Sequence, residues 1–114
     1  MTAPFDLLIN RIVESVKATF GDRLISMILY GSYARGDYDS DSDIDIMAIV
    51  NLPAGEIAQY SSEIDSLASR MSLESDNCTT VCISLQDSTT FDRYSSALPF
   101  FSNILSEGLF LYAA

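Results

Sequence analysis

Two short apolar runs, Leu24–Tyr30 (LISMILY) and Asp43–Val50 (DIDIMAIV), stand on either side of a polar segment, Gly31–Ser42. Runs of that length bounded by glycine and turn residues are strand-like. The second run is the more restrictive. Side chains alternate across a strand, so Asp43 and Asp45 point one way while Ile44, Ile46 and Ala48 point the other. A chain with this segment must bury one face of a strand and keep two carboxylates together on the opposite face. Those carboxylates are the last two of five aspartates, at 37, 39, 41, 43 and 45.

The flanking sequence supplies helices. Phe5, Leu8, Ile9, Ile12, Val13, Val16 and Phe20 recur at helical spacing and predict an amphipathic helix over 4–20, ending at Gly21-Asp22. Pro53 suits the entry of a helix over 54–72, with Ile57, Ile64, Leu67, Ala68 and Met71 as its apolar stripe. Thr79–Leu85 (TTVCISL) is β-branched and alternating, a third strand. Asp87–Tyr94 reads as a loop or helical turn. A last helix is expected over 97–107 with Gly108 as its C-cap, followed by an apolar tail, Leu109–Tyr112, able to pair or pack. The order α-β-β-α-β-α predicts an α/β (α+β) domain with a small mixed sheet flanked by helices. At 114 residues the expectation is one domain, 1–114.

Composition narrows the function. The formal charge is −10, and only six residues are basic: Arg11, Lys17, Arg23, Arg35, Arg70 and Arg93. No basic patch can form, which argues against binding nucleic acid through its phosphates. There is no histidine, which removes the common zinc sites and the serine and cysteine triads. The two cysteines, Cys78 and Cys82, are too far apart on a strand to bridge each other. No signal peptide and no apolar run of membrane-spanning length is visible, so a cytoplasmic protein with no membrane association is expected.

Three readings compete for the aspartate-rich segment. Asp37-x-Asp39-x-Asp41 copies the first half of a calcium loop, but the sixth position is Ser42 and the twelfth is Ala48, where glycine and glutamate are needed. Gly31 and Gly36 lack the lysine of a P-loop and the third glycine of a dinucleotide fingerprint. The third reading is a two-metal site. Asp43 and Asp45 stand roughly 6.6 Å apart along one strand face, a spacing at which two carboxylates can share Mg²⁺ and approach a second ion. Gly31-Ser32 follows a strand, and such a turn offers backbone N–H groups and a hydroxyl to a polyphosphate. Arg35 is the nearest cation and either neutralises phosphate or holds the acidic loop. Ser42, just before the pair, joins the candidate nucleotide-binding residues or makes a turn into the strand. Tyr33 and Tyr38 read as packing or rim residues; Tyr30, Met27 and Met47 read as core.

Gly31-Ser32, ten further residues and then Asp43-Ile44-Asp45 resembles the signature of the DNA polymerase β-like nucleotidyltransferase superfamily. The string GSYARG…SDIDI looks like its minimal members, the MNT proteins, which are often paired with a HEPN-domain partner. The preceding helix and strand and the segment PFFSNILSEGLFLY are also similar. The resemblance implies that Gly31 and Ser32 hold a nucleoside triphosphate and that Asp43 and Asp45 hold Mg²⁺. It further implies transfer of AMP from ATP to a hydroxyl, a tyrosine of a HEPN-type toxin. The chain departs from the pattern at one point. Active members carry a third carboxylate on a later strand, and residues 79–86 contain none. If Val81, Ile83 and Leu85 face the core, Thr80, Cys82 and Ser84 face the site. Either Asp76, Asp87 or a partner completes the site, or the protein is a weakened enzyme that neutralises its partner by binding. A homodimer whose cleft accepts a small molecule is the remaining alternative.

Overall fold

The computed structural model describes residues 3–75 and 79–114. The first helix, α1 (Ala3–Phe20), is followed by a 3-10 turn and strand β1 (Leu24–Tyr30). A four-residue helix, α2 (Ser32–Arg35), precedes strand β2 (Ile44–Val50). Helices α3 (Ala54–Ile57) and α4 (Ser61–Glu74) lead to strand β3 (Val81–Asp87). Helices α5 (Ser88–Tyr94) and α6 (Pro99–Glu107) and strand β4 (Leu109–Ala113) complete the order. No helix among the described residues is long and apolar enough to cross a membrane.

The sheet is mixed, as expected, with strand order β3-β2-β1-β4. β1 pairs antiparallel with β2 and β4, and β2 pairs parallel with β3. The tail over 109–112 is therefore a strand: β1 has a second edge, and β4 satisfies its N–H and C=O groups. Helices cover both faces. Ile44, Ile46, Ala48 and Val50 pack with Ile12 and Val16 of α1 and with Ile64 and Leu67 of α4. On the other face Ile28, Met47 and Ile49 pack with Phe91 of α5 and with Phe101 and Ile104 of α6. Each fully buried Ile or Leu contributes about 1.5–3 kcal/mol; both faces of β2 are buried from Ile46 onward, and only at its start does one face carry a carboxylate, Asp45, with Asp43 just before the strand.

The structure modifies three sequence expectations. The helix expected over 54–72 is broken by a 3-10 turn at Ala58–Tyr60; Tyr60 there rests its ring 4.9 Å from that of Phe20. Residues 88–94 form a helix because the Asp87 carboxylate accepts the Thr90 N–H at 2.8 Å, closing its N-terminus. α6 starts at Pro99, not 97, since proline suits a first turn and holds Leu98 extended. Gly108 does end α6, but in an extended conformation with φ −74°. Glycine is needed there for space: a Cβ would collide with the Ile104 carbonyl oxygen and lie 2.5 Å from Ile28 Cγ2.

Candidate active site

The site is built where β1 ends and β2 begins. Register places Tyr30 opposite Asp45 on one side, and Asp45 opposite Cys82 on the other. After Tyr30 the chain turns sharply at Gly31, with φ +75° and ψ −156°, a region essentially closed to other residues. The Gly31 carbonyl accepts the N–H groups of Ala34 and Arg35, both at 3.1 Å, which starts α2. The first N–H groups of a helix have no partner within it, and Ser32, which starts α2, is partly exposed. Gly36 closes the turn in the left-handed conformation.

The turn also lies close to Asp45. A Cβ at Gly31 would stand 2.7 Å from Asp45 Oδ2, so the carboxylate would have to rotate away. The Asp45 carboxylate thus lies directly on the glycine turn. Asp45 and the Gly31 turn, fourteen residues apart in sequence, are brought side by side.

The aspartates divide by environment. Asp37 pairs with Arg35 at 3.3 Å. Asp39 organises the loop: its carboxylate accepts the Asp41 N–H at 2.9 Å and the Ser42 hydroxyl at 3.3 Å, while its own N–H donates to Ser42 Oγ at 2.9 Å. Ser42, grouped in the sequence reading with the nucleotide-binding residues, thus has its hydroxyl in the turn that leads into β2. Asp41 and Asp43 are exposed and Asp45 is half-buried. Burial first, and then the Asp43 charge, push the Asp45 carboxyl above its ordinary range. A cation between the two would relieve both effects.

Tyr30 is not simply core. It is half-buried on the same sheet face as Asp45. Burial raises its pKa most; the nearby Ser84 side chain opposes this, and the Asp45 and Cys82 charges add to it. Cys82 is pushed up by burial and then by Asp43 and Asp45, so a neutral thiol stands beside the carboxylate pair. Cys82 and Ser84 occupy the face of β3 where a third carboxylate would stand, as the alternation of that strand predicts.

Asp87 does not supply that carboxylate. It lies five residues beyond Cys82, roughly 16 Å along the strand, opposite Val50. Burial works to raise its pKa, but hydrogen bonds from Thr90 and Gln86 outweigh this and hold it below the usual range. It is a helix cap. Asp76 and Cys78 fall outside the described residues. Among those described, no three carboxylate or thiol groups converge as a metal-ligand set. Asp43 and Asp45 nevertheless suit Mg²⁺, which is commonly held by one or two carboxylates with phosphate oxygens and water completing its shell.

Beside the turn, a cleft of about 170 Å³ is lined by Tyr30, Gly31, Arg35, Phe100, Asn103 and Glu107. The Phe100 ring meets Tyr30 edge-on at 5.8 Å. On the other side of α2, Tyr33 is stacked between Phe5 at 5.3 Å and Tyr38 at 4.3 Å, a packing role. Sequence reading missed Tyr30, Phe100 and Glu107 as site-lining residues. The parity of Tyr30 with Ile28 was legible, but which β2 residue it faces depends on register, and nothing local marks Glu107.

A family profile for the nucleotidyltransferase domain matches residues 9–94. Three Methanocaldococcus jannaschii proteins, each described as a candidate protein adenylyltransferase, are similar in sequence. One is 39% identical over 70 residues, which is 60% of this chain and 68% of the relative. The second is 43% identical over 54 residues, 46% of this chain and 37% of the relative. The third is 46% identical over 41 residues, 36% of this chain and 41% of the relative. The chain therefore spans well under half the length of the last two. Solved structures share the fold. A toxin–antitoxin complex with AMP-PNP superposes with a TM-score of 0.52 at 17% identity, over 91% of this chain and 73% of that one. A mutant of the MntA–HpeT toxin–antitoxin gives 0.53 at 20% identity, over 93% and 73%. The glycine turn, the carboxylate it carries and the profile across most of the chain agree: this protein belongs to the nucleotidyltransferase domain family.

Proposed function

We propose that the protein transfers AMP from ATP to a hydroxyl on a partner protein, a tyrosine of a HEPN-type toxin. The observation that carries this reading is the seat of the Asp45 carboxylate on Gly31. It sets one carboxylate of the Asp43–Asp45 pair against the turn that would receive the phosphates. Enzymes of this family use a nucleoside triphosphate and a divalent metal. Gly31 and Ser32 would receive the triphosphate, with Arg35 beside it. Asp43 and Asp45 would hold Mg²⁺, which supplies charge neutralisation at the α-phosphate. The acceptor oxygen forms a bond to the α-phosphorus, the bond to the bridging oxygen breaks, and pyrophosphate leaves. Tyr30 and Cys82 both have raised pKa values, so neither is an effective base at neutral pH, and the acceptor's proton leaves to water or to the partner. The names of the sequence relatives and the toxin–antitoxin neighbours support the choice of a protein acceptor.

The test is to mix the protein with ATP, Mg²⁺ and a HEPN-type toxin, and to look for AMP on a tyrosine by mass spectrometry. Asp43→Asn should abolish the adduct. No adduct with any nucleotide would sink the transfer reading. The thiol and hydroxyl on β3 where a carboxylate is expected favour a second reading, an antitoxin that acts by binding alone. Under it, Asp43→Asn would still neutralise the partner.

A further inference from the structure

We infer that Glu107 is, with Asp37, a resident counter-ion of Arg35, and that a triphosphate arriving on the Gly31–Ser32 turn takes Arg35 away from Glu107. The inference rests on the proposed reading of that turn as a triphosphate site. Arg35 is the only basic residue in this region of the chain. Its guanidinium is held by two carboxylates, Asp37 at 3.3 Å and Glu107 at 3.7 Å. Asp37 is a neighbour in sequence. Glu107 comes from the far end of the chain and is brought there by packing: Ile104 is buried against Ile28 and Met47, and Gly108 admits the end of α6 against β1 at Ile28. Arg35 and Glu107 then form one wall of the cleft that Gly31 also lines.

Both side chains of this pair are nearly half exposed, at 45% and 47%. An ion pair so placed is weak, whereas a guanidinium makes strong charge-assisted bonds to phosphate oxygens. The exchange is therefore favourable, and it leaves Glu107 unpaired beside an anionic ligand. Glu107 thus weakens triphosphate binding and acts through Arg35, as a positioning residue and not a catalytic one.

The experiment is calorimetric titration of Mg-ATP into the wild-type protein, Glu107→Gln, Arg35→Gln and the double variant, with adenosine as the phosphate-free control. Glutamine is isosteric and the site is exposed, so thermal melting should confirm an unchanged fold. Glu107→Gln should lower the Kd for Mg-ATP roughly two- to fivefold, the range a surface ion pair carries. The gain should shrink in the Arg35→Gln background, and adenosine should bind both proteins alike. An unchanged or weaker affinity in Glu107→Gln overturns the inference and leaves the proposed function standing. An equal gain in both backgrounds also overturns it, since Glu107 would then act only as bulk charge. Failure of the wild-type protein to bind any nucleoside triphosphate overturns both.

Discussion

Replacing Gly31 by alanine tests the central geometric claim. The new Cβ would meet Asp45 Oδ2 at 2.7 Å, about 0.7 Å short of the 3.4 Å of ordinary contact. Backbone strain adds to this, because φ +75° with ψ −156° is a glycine conformation that costs other residues about 1–3 kcal/mol. For a domain of this size that is a fall in Tm of roughly 5–20 °C. Activity should suffer further, since the carboxylate must move or the turn must open; a misplacement near 1 Å costs about 10²-fold in rate. Gly36→Ala is the control. Gly36 also has positive φ, at +86°, but a Cβ there meets nothing within 4 Å. Its variant should lose about 1–2 kcal/mol from the left-handed backbone alone and keep its Mg²⁺-dependent nucleotide transfer or binding. Thermal melts and a nucleotide titration of the two variants separate the effects. If Gly31→Ala binds nucleotide as Gly36→Ala does, Asp45 does not sit on the turn in the way described.

Asp45 predicts a pH effect. Its raised pKa means that the metal-free folded state holds the proton more tightly than the unfolded chain. Stability should therefore be greatest below about pH 3.9 for this group and fall as pH rises through the window up to the folded value. Asp45→Asn should flatten that fall and raise the melting temperature without metal at pH 7, while Mg²⁺ should stabilise the wild type and not the variant; a variant no more stable than wild type in chelator would count against the crowding of the two carboxylates. Cys82→Asp places a third carboxylate opposite Asp45, so it should lower the melting temperature in chelator and tighten Mg²⁺ binding; unchanged Mg²⁺ affinity by calorimetry would show that Cys82 does not face the pair. Asp87→Ala removes the cap of α5 and should cost about 0.5–2 kcal/mol in denaturant unfolding, with Mg²⁺ binding unchanged. Because hydrogen bonds depress the Asp87 pKa, the stability it confers is present above the unfolded value and lost as pH falls through the folded one; loss of metal binding in this variant would restore Asp87 as a ligand.

Much of the fold was legible because it rests on local periodicity. The alternation of Asp43–Val50 assigned both faces of β2, and the apolar stripe of residues 5–20 gave α1 nearly to the residue. The tail at 109–112 was ambiguous for a physical reason. An apolar run of four residues can pack or pair, and only the open edge of β1 makes it a strand. Asp87 looked available because its charge is visible in sequence, while its hydrogen bond to the Thr90 N–H is visible only once α5 exists.

By itself, the sequence determined the spacing that sets Asp43 and Asp45 on one side of a strand, the glycine turn before it, the lack of Asp or Glu over residues 79–86 and the net charge of −10. These follow from residue identity and from the two-residue period of a strand, which need no partner. The tertiary structure alone decided what meets what: Asp45 on Gly31, Tyr30 and Cys82 flanking it, and Glu107 against Arg35. Such contacts depend on strand register and on how closely a helix approaches a sheet. At Gly108 and Gly31 that closeness is set by the space a single Cβ would fill, and no local pattern in the chain records it.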